Sequence, residues 1–250
     1  MSSSARTRLV IIGIGGASCS GKTLLAKHIH RALPEGAHII HQDDFCPPEE
    51  TVPYSDRYPD LQDWDDPETC IMWPEFRSIL REMRKTGQQA SHASHDHLNK
   101  QVEVKIQQHV FDKWRKLLTQ YVDEQKKDGV DIAWSIVDGF VLYWDKLFLR
   151  VPYQVLKQRR EERQVYVLQQ GGVWVDPPGY FDKIVWPGYL KAHNGIFDDV
   201  ERGPVKKDWS GNLLLLQPGD GEDGMTAAFD EACGAILDGC KTGAGIIISS

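Results

Sequence analysis

A chain of 250 residues, 41% of them hydrophobic, is long enough to bury a real core and reads as one sizeable domain, or one domain with insertions. Its formal net charge of -7 argues against nucleic acid as the main partner, and no apolar run approaches the roughly 20 residues that span a membrane. Cys19, Cys46, Cys70, Cys233 and Cys240 form no C-x-x-C pair, and the start, Met1 to Arg8, is short, polar and basic; a reducing compartment and a cytoplasmic protein are expected.

Leu9-Val10-Ile11-Ile12-Gly13-Ile14 is an apolar, β-branched run that predicts a buried parallel strand. Gly16-Ala17-Ser18-Cys19-Ser20-Gly21-Lys22-Thr23 follows and matches G-x-x-x-x-G-K-[ST] at every fixed position. From Leu24 onward, Leu25, Ile29, Ala32 and Leu33 recur at helical spacing until Pro34 and Gly36 end the helix. Strand, glycine loop and helix together let backbone N–H groups close around phosphate oxygens, while the helix N-terminus adds partial positive charge. Lys22 is expected to reach the β- and γ-phosphates, and Thr23 to offer its hydroxyl to Mg²⁺. The dinucleotide pattern G-x-G-x-x-G fails, because its third glycine falls on Ser18.

Residues 37–41 predict a second strand leading into Gln42-Asp43-Asp44-Phe45. Ligands of parallel sheets bind outside the C-terminal strand ends, so Asp43 and Asp44 emerge beside the phosphate loop. A carboxylate there can accept a proton from a substrate hydroxyl or bind the metal. Residues 46–69, rich in proline, aspartate and rings, predict an ordered loop; Trp64 beside Asp65 suits a planar base on a hydroxylated sugar. A helix over 74–85 follows. The polar stretch 86–106 carries His92, His95 and His97, whose spacing matches no zinc site, and predicts a mobile surface loop. A helix over 107–125 buries Val110, Phe111, Trp114, Leu117, Leu118 and Tyr121.

Residues 132–137 predict a third core strand ending at Asp138-Gly139-Phe140, where phosphate-loop enzymes carry an acid that supports Mg²⁺. Residues 147–151 predict the fourth strand, and Pro152 starts a helix bearing Lys157, Arg159, Arg160 and Arg163. That arginine run predicts a lid over about 153–178 that closes on the transferring phosphoryl group and excludes water. Residues 213–216 predict the fifth strand, 226–237 the closing helix, and 243–250 a flexible tail.

Five stretches in this order resemble the nicotinamide riboside kinases, relatives of uridine kinase: the phosphate loop, Gln42-Asp43-Asp44-Phe45, Trp64-Asp65, Val137-Asp138-Gly139-Phe140, and Val151-Pro152-Tyr153 with its arginines. The later stretch Gly179-Tyr180-Phe181-Asp182, with Val185-Trp186-Pro187 and Tyr189-Leu190-Lys191, is the most specific. The resemblance implies that Asp43 is the general base on the ribose 5′-hydroxyl, close to Mg²⁺. It implies that Asp44, Phe45 and Cys46 line the riboside pocket, that Trp64 stacks near the nicotinamide, and that Asp65 holds ribose hydroxyls. Arg160 and Tyr166 would then face substrate, and Arg159 and Arg163 would face ATP. Trp64 stands where the family has a tyrosine and Asp138 where a glutamate is common; both keep the π-face or the carboxylate, but Asp138 reaches less far.

The expectation is a single phosphate-loop α/β domain: a five-stranded parallel sheet, helices on both faces and an arginine-bearing lid. Its partners would be small molecules, ATP with Mg²⁺ and nicotinamide riboside or nicotinic acid riboside, with no membrane and at most weak self-association. A kinase of uridine or cytidine is the near alternative, although Asp43, Asp44, Trp64 and Asp65 favour a pyridinium. A nucleotide-dependent switch is the other; a guanine switch should carry Asn-Lys-x-Asp, and Asn99-Lys100 is followed by Gln101-Val102.

Overall fold

The computed structural model describes residues 6–88, 94–96, 102–142, 147–163, 165–167, 172–210, 213–243 and 247–249. The apolar first run forms β1 (Arg6–Gly16), followed by α1 (Lys22–Ala32), β2 (His38–His41), α2 (Trp73–Thr86), α3 (Gln108–Lys127) and β3 (Val130–Gly139). Then come β4 (Leu147–Leu149), α4 (Tyr153–Arg163), the short pair β5 (Tyr166–Val167) and β6 (Val173–Trp174), α5 (Trp186–His193), β7 (Leu214–Leu216), α6 (Gly221–Thr242) and β8 (Ile247–Ser249).

Five strands are parallel, in the order β2-β3-β1-β4-β7. The chain leaves β1 for β2 and β3 on one side and reaches β4 and β7 on the other. The sheet therefore changes direction beside β1, where ligands of such sheets bind. Alternation along β1 sends Val10, Ile12 and Ile14 into the core beneath α1, α3 and α6, and Leu9 and Ile11 into the core beneath α2. With both faces covered, the strand reads as an unbroken apolar run. A third cluster, including Phe148, Leu156, Tyr180, Phe181, Ile184 and Phe197, roots α4 and α5 beyond the C-terminal strand ends.

Three elements go beyond the expectation. The tail is not without structure: Ile247–Ser249 pairs antiparallel with Leu9–Ile11, on the stretch of β1 that β4 does not reach. Residues 181–185 make a π-helical turn that runs into α5, with Pro187 in its first turn, where a missing N–H costs nothing. The lid region holds α4 and the antiparallel pair β5–β6. Among the described residues no helix is long and apolar enough to cross a membrane, and all five cysteines are free thiols.

Candidate active site

The phosphate loop is shaped by its backbone. Gly16 has φ 141°, and a Cβ there would meet the Leu149 carbonyl oxygen at 2.5 Å. Gly21 has φ 94° at the entry to α1, and Cys19, not a glycine, is held at φ 64°. The helix begins with the Leu25 N–H bonded to the Gly21 carbonyl at 2.9 Å, yet no side chain caps it and its first turn holds no acid. Its first N–H groups and dipole are left for an anion. The Ser20 hydroxyl is buried without a hydrogen-bond partner among the described residues, as expected of a donor awaiting a phosphate oxygen.

Thr23 donates its hydroxyl to Asp138 Oδ2 at 2.5 Å. His41 Nδ1 donates to Oδ1 of the same carboxylate at 2.5 Å. Asp138 is 2% exposed; burial alone would raise its carboxyl, but the His41 hydrogen bond and charge outweigh it and hold it below the usual range. Burial opposes charge on His41 too, and Asp138, Asp96 and Asp44 overcome it, lifting the imidazole to about 9. Hydroxyl and carboxylate oxygens are the hard donors that Mg²⁺ takes, so the pair fits the expected metal. Asp43 stands exposed on the turn after β2, facing the same cavity.

That cavity measures about 780 Å³, within the range of small-molecule sites. Ser18 to Leu24 line it, together with Asp43, Asp44, Cys46, Trp64, Asp65, Arg159, Arg160, Arg163 and Tyr166. Gly16 and Ala17, expected to bind the nucleotide, do not line it: Gly16 lies against Leu149, and Ala17 is buried in the third cluster. Phe45 is a correction: it is buried against Phe76, ring centroids 5.1 Å apart, and does not line the cavity. The turn that exposes Asp43 points the residue two places on into the core. Burial, then the charges of Asp43, Asp65 and Asp44, push the Cys46 thiol up, so it presents a neutral wall.

The arginines divide by position. Arg160, 8% exposed, forks onto Asp176 through Nε at 2.6 Å and a terminal nitrogen at 2.9 Å, and gives a third bond to the Ser18 hydroxyl at 2.8 Å. Arg159 pairs with Asp220 at 2.9 Å, at the start of α6. Tyr166 lies between guanidinium groups, its ring centroid 4.1 Å from Arg160 and 3.9 Å from Arg163, with its hydroxyl 3.6 Å from Cys19 Sγ. The lid thus grips the phosphate loop through α4 and β5.

At the opposite end Trp64 meets Trp174, centroids 5.6 Å apart. Asp65 is buried beside them, and burial lifts its carboxyl to about 6 against the pull of Arg160. Gly188 is needed here: a Cβ would lie 2.4 Å from the Asp65 carbonyl oxygen.

Sequence reasoning missed Trp174, His41, His95 and Asp96, all of which line the cavity. Part of the stretch read as a mobile surface loop packs here instead: the His95 N–H donates to Asp44 at 2.9 Å, and Asp96 pairs with Lys27 at 2.6 Å. His92 and His97 lie outside the described residues; among those described, no cluster of three or more histidine, cysteine or acidic side chains forms a metal-holding group. A usable signal was the register of β2, which sets His41 beside Asp138.

No protein-family model matches the chain. It is similar to the nicotinamide riboside kinase of Saccharomyces cerevisiae, 33% identical over 247 residues, covering 94% of this chain and 98% of the relative. The chain belongs to the nicotinamide riboside kinase family. The Schizosaccharomyces pombe nicotinamide riboside kinase is 31% identical over 222 residues, 83% of this chain and 86% of its own length, and human nicotinamide riboside kinase 1 is 32% identical over 197 residues, 75% and 78%. Membership in a kinase family accounts for the phosphate loop.

Proposed function

We propose that this kinase transfers the γ-phosphoryl group of ATP to the 5′-hydroxyl of nicotinamide riboside, giving nicotinamide mononucleotide, and that it also accepts nicotinic acid riboside. The reading is carried by one observation: the phosphate loop, with Lys22 and the lid arginines, opens into the same cavity as Asp43, Trp64 and Asp65.

ATP would lie along the loop, its phosphates against the N-terminus of α1, Lys22, Arg159 and Arg163. Mg²⁺ held by Thr23 and Asp138, with Asp43 nearby, would offset charge on the phosphoryl oxygens. The riboside would sit with its base against Trp64 and Trp174 and its ribose hydroxyls on Asp65. Two carboxylates, Asp44 and Asp65, and two π-faces suit a pyridinium ring. Asp43 accepts the 5′-hydroxyl proton as the new O–P bond forms and the bond from the γ-phosphorus to the β-phosphate oxygen breaks. Arg160, anchored by Asp176, closes over the transfer and excludes water.

The test is Mg-ATP-dependent transfer to nicotinamide riboside, nicotinic acid riboside, uridine and cytidine. Preference for the pyridine ribosides is expected; preference for uridine would overturn the base-recognition argument. Asp43→Asn should lower kcat by about 10²- to 10⁴-fold with ATP binding intact. Near-normal turnover in that variant would remove Asp43 as the base.

A further inference from the structure

Two residues that no motif predicted stand behind the metal-bearing carboxylate. His41 ends β2, and the ladder sets it directly across from Asp138 on β3. Its Nδ1 holds Oδ1 of Asp138, leaving Oδ2 to Thr23. On its far side, Nε2 of His41 faces Asp96 Oδ2 at 3.9 Å, and Asp96 is fastened to Lys27 of α1 at 2.6 Å. Lys27, Asp96, His41, Asp138 and Thr23 therefore form one continuous polar chain. It begins and ends on α1 and passes through the stretch between α2 and α3, then β2 and β3.

We propose that His41 and Asp96 are positioning residues that orient Asp138 for the divalent cation. The proposal rests on the reading that Asp138 and Thr23 hold that metal. The terminal torsion of an aspartate is broad, so a carboxylate held through one oxygen rotates freely between many orientations. The bond from His41 fixes the plane of the Asp138 carboxylate and turns Oδ2 toward the Thr23 hydroxyl. Asp96 acts one step further back, fixing the imidazole ring through charge attraction. This gives the polar stretch between α2 and α3 a role at the site. Hydrogen bonds from behind a ligating group typically change metal affinity by about 10–100-fold when removed.

The experiment measures Mn²⁺ affinity by electron paramagnetic resonance on the full chain, with and without an imido analogue of ATP, in His41→Ala, His41→Asn, Asp96→Asn and Asp138→Asn. Thermal melts without metal confirm folding, and kcat and KM are followed against Mg²⁺ concentration. His41→Ala should weaken Mn²⁺ by about 10–100-fold and raise the Mg²⁺ needed for half-maximal kcat by a similar factor, with a smaller change in riboside KM. His41→Asn, whose amide nitrogen can stand where Nδ1 does, should recover most of the loss. Asp96→Asn should weaken Mn²⁺ by about threefold. A folded His41→Ala with parental Mn²⁺ affinity overturns the proposal. Should that variant not fold, parental affinity in Asp96→Asn overturns it equally. Unchanged Mn²⁺ binding in Asp138→Asn would instead sink the metal assignment itself, so the two failures are distinguishable.

Discussion

Replacing Asp65 by asparagine separates what a buried carboxylate does for binding from what it does to the fold. Burial, opposed by Arg160 and reinforced by Asp63, Asp176 and Asp43, lifts this carboxyl from 3.8 to about 6. Between those values the folded chain holds a proton that the unfolded chain has released, so stability falls as pH rises through the window. The penalty is nearly complete by about pH 7 and amounts to roughly 3 kcal/mol. Asparagine does not titrate. Whatever constant offset the substitution adds, the stability of Asp65→Asn relative to the parent should climb by about 2.4 kcal/mol between pH 4 and pH 7, with a little under half of that gained by pH 5. In a chain of this length that corresponds to roughly 5–10 °C in melting temperature. Urea unfolding of both proteins at closely spaced pH values reads the difference directly. The same variant should bind riboside more weakly at neutral pH, and the parental KM should fall as pH rises through 6 and the carboxylate ionises. A parent–variant difference that stays flat from pH 4 to pH 7 would refute the reasoning.

Trp174→Ala should remove one of the two aromatic faces at the acceptor end and raise riboside KM by about 5- to 100-fold with ATP binding unchanged, checked by steady-state kinetics. His193 is fully buried, its Nδ1 bonded to the Tyr189 carbonyl, and burial lowers its pKa to about 4. Its neutral form costs nothing above pH 6.5, and the penalty grows as pH falls toward 4, reaching about 3 kcal/mol; His193→Gln should flatten that limb in acid unfolding curves. Gly188→Ala should drive a Cβ into the Asp65 backbone, destabilise the fold by about 1–3 kcal/mol and weaken riboside binding, read by thermal melting and KM.

The phosphate loop was legible because its chemistry demands fixed residues at fixed spacing, and β1 and β3 because strands covered on both faces read as unbroken apolar runs. Asp138 could be placed at a strand end for the same reason. Phe45 was not legible in detail: a 3-10 turn changes facing residue by residue, so its neighbours Asp44 and Cys46 line the cavity while it packs on Phe76. Asp96 escaped because a polar stretch has no periodicity to reveal what it packs on, and its partners Lys27 and His41 are distant in the chain. Trp174 sits among Gly171, Gly172, Pro177, Pro178 and Gly179, a composition with no periodicity to show what it packs on. In α5, Pro187 sits in the helix's first turn, where its missing N–H costs nothing.

The pairing of β8 with β1 bears on how the protein reaches its native state. The strand that leads into the phosphate loop comes first in the element order, yet among the described residues part of its edge is closed by residues 247–249 alone. Until those residues are available, Leu9–Ile11 present unpaired backbone groups within an apolar strand, a ready template for another chain. Such long-range pairing is slow to form, so partly made or refolding chains are exposed to association for longer than the helices alone would suggest. Fusions or truncations that disturb residues 247–249 are therefore expected to lower soluble yield before they alter catalysis.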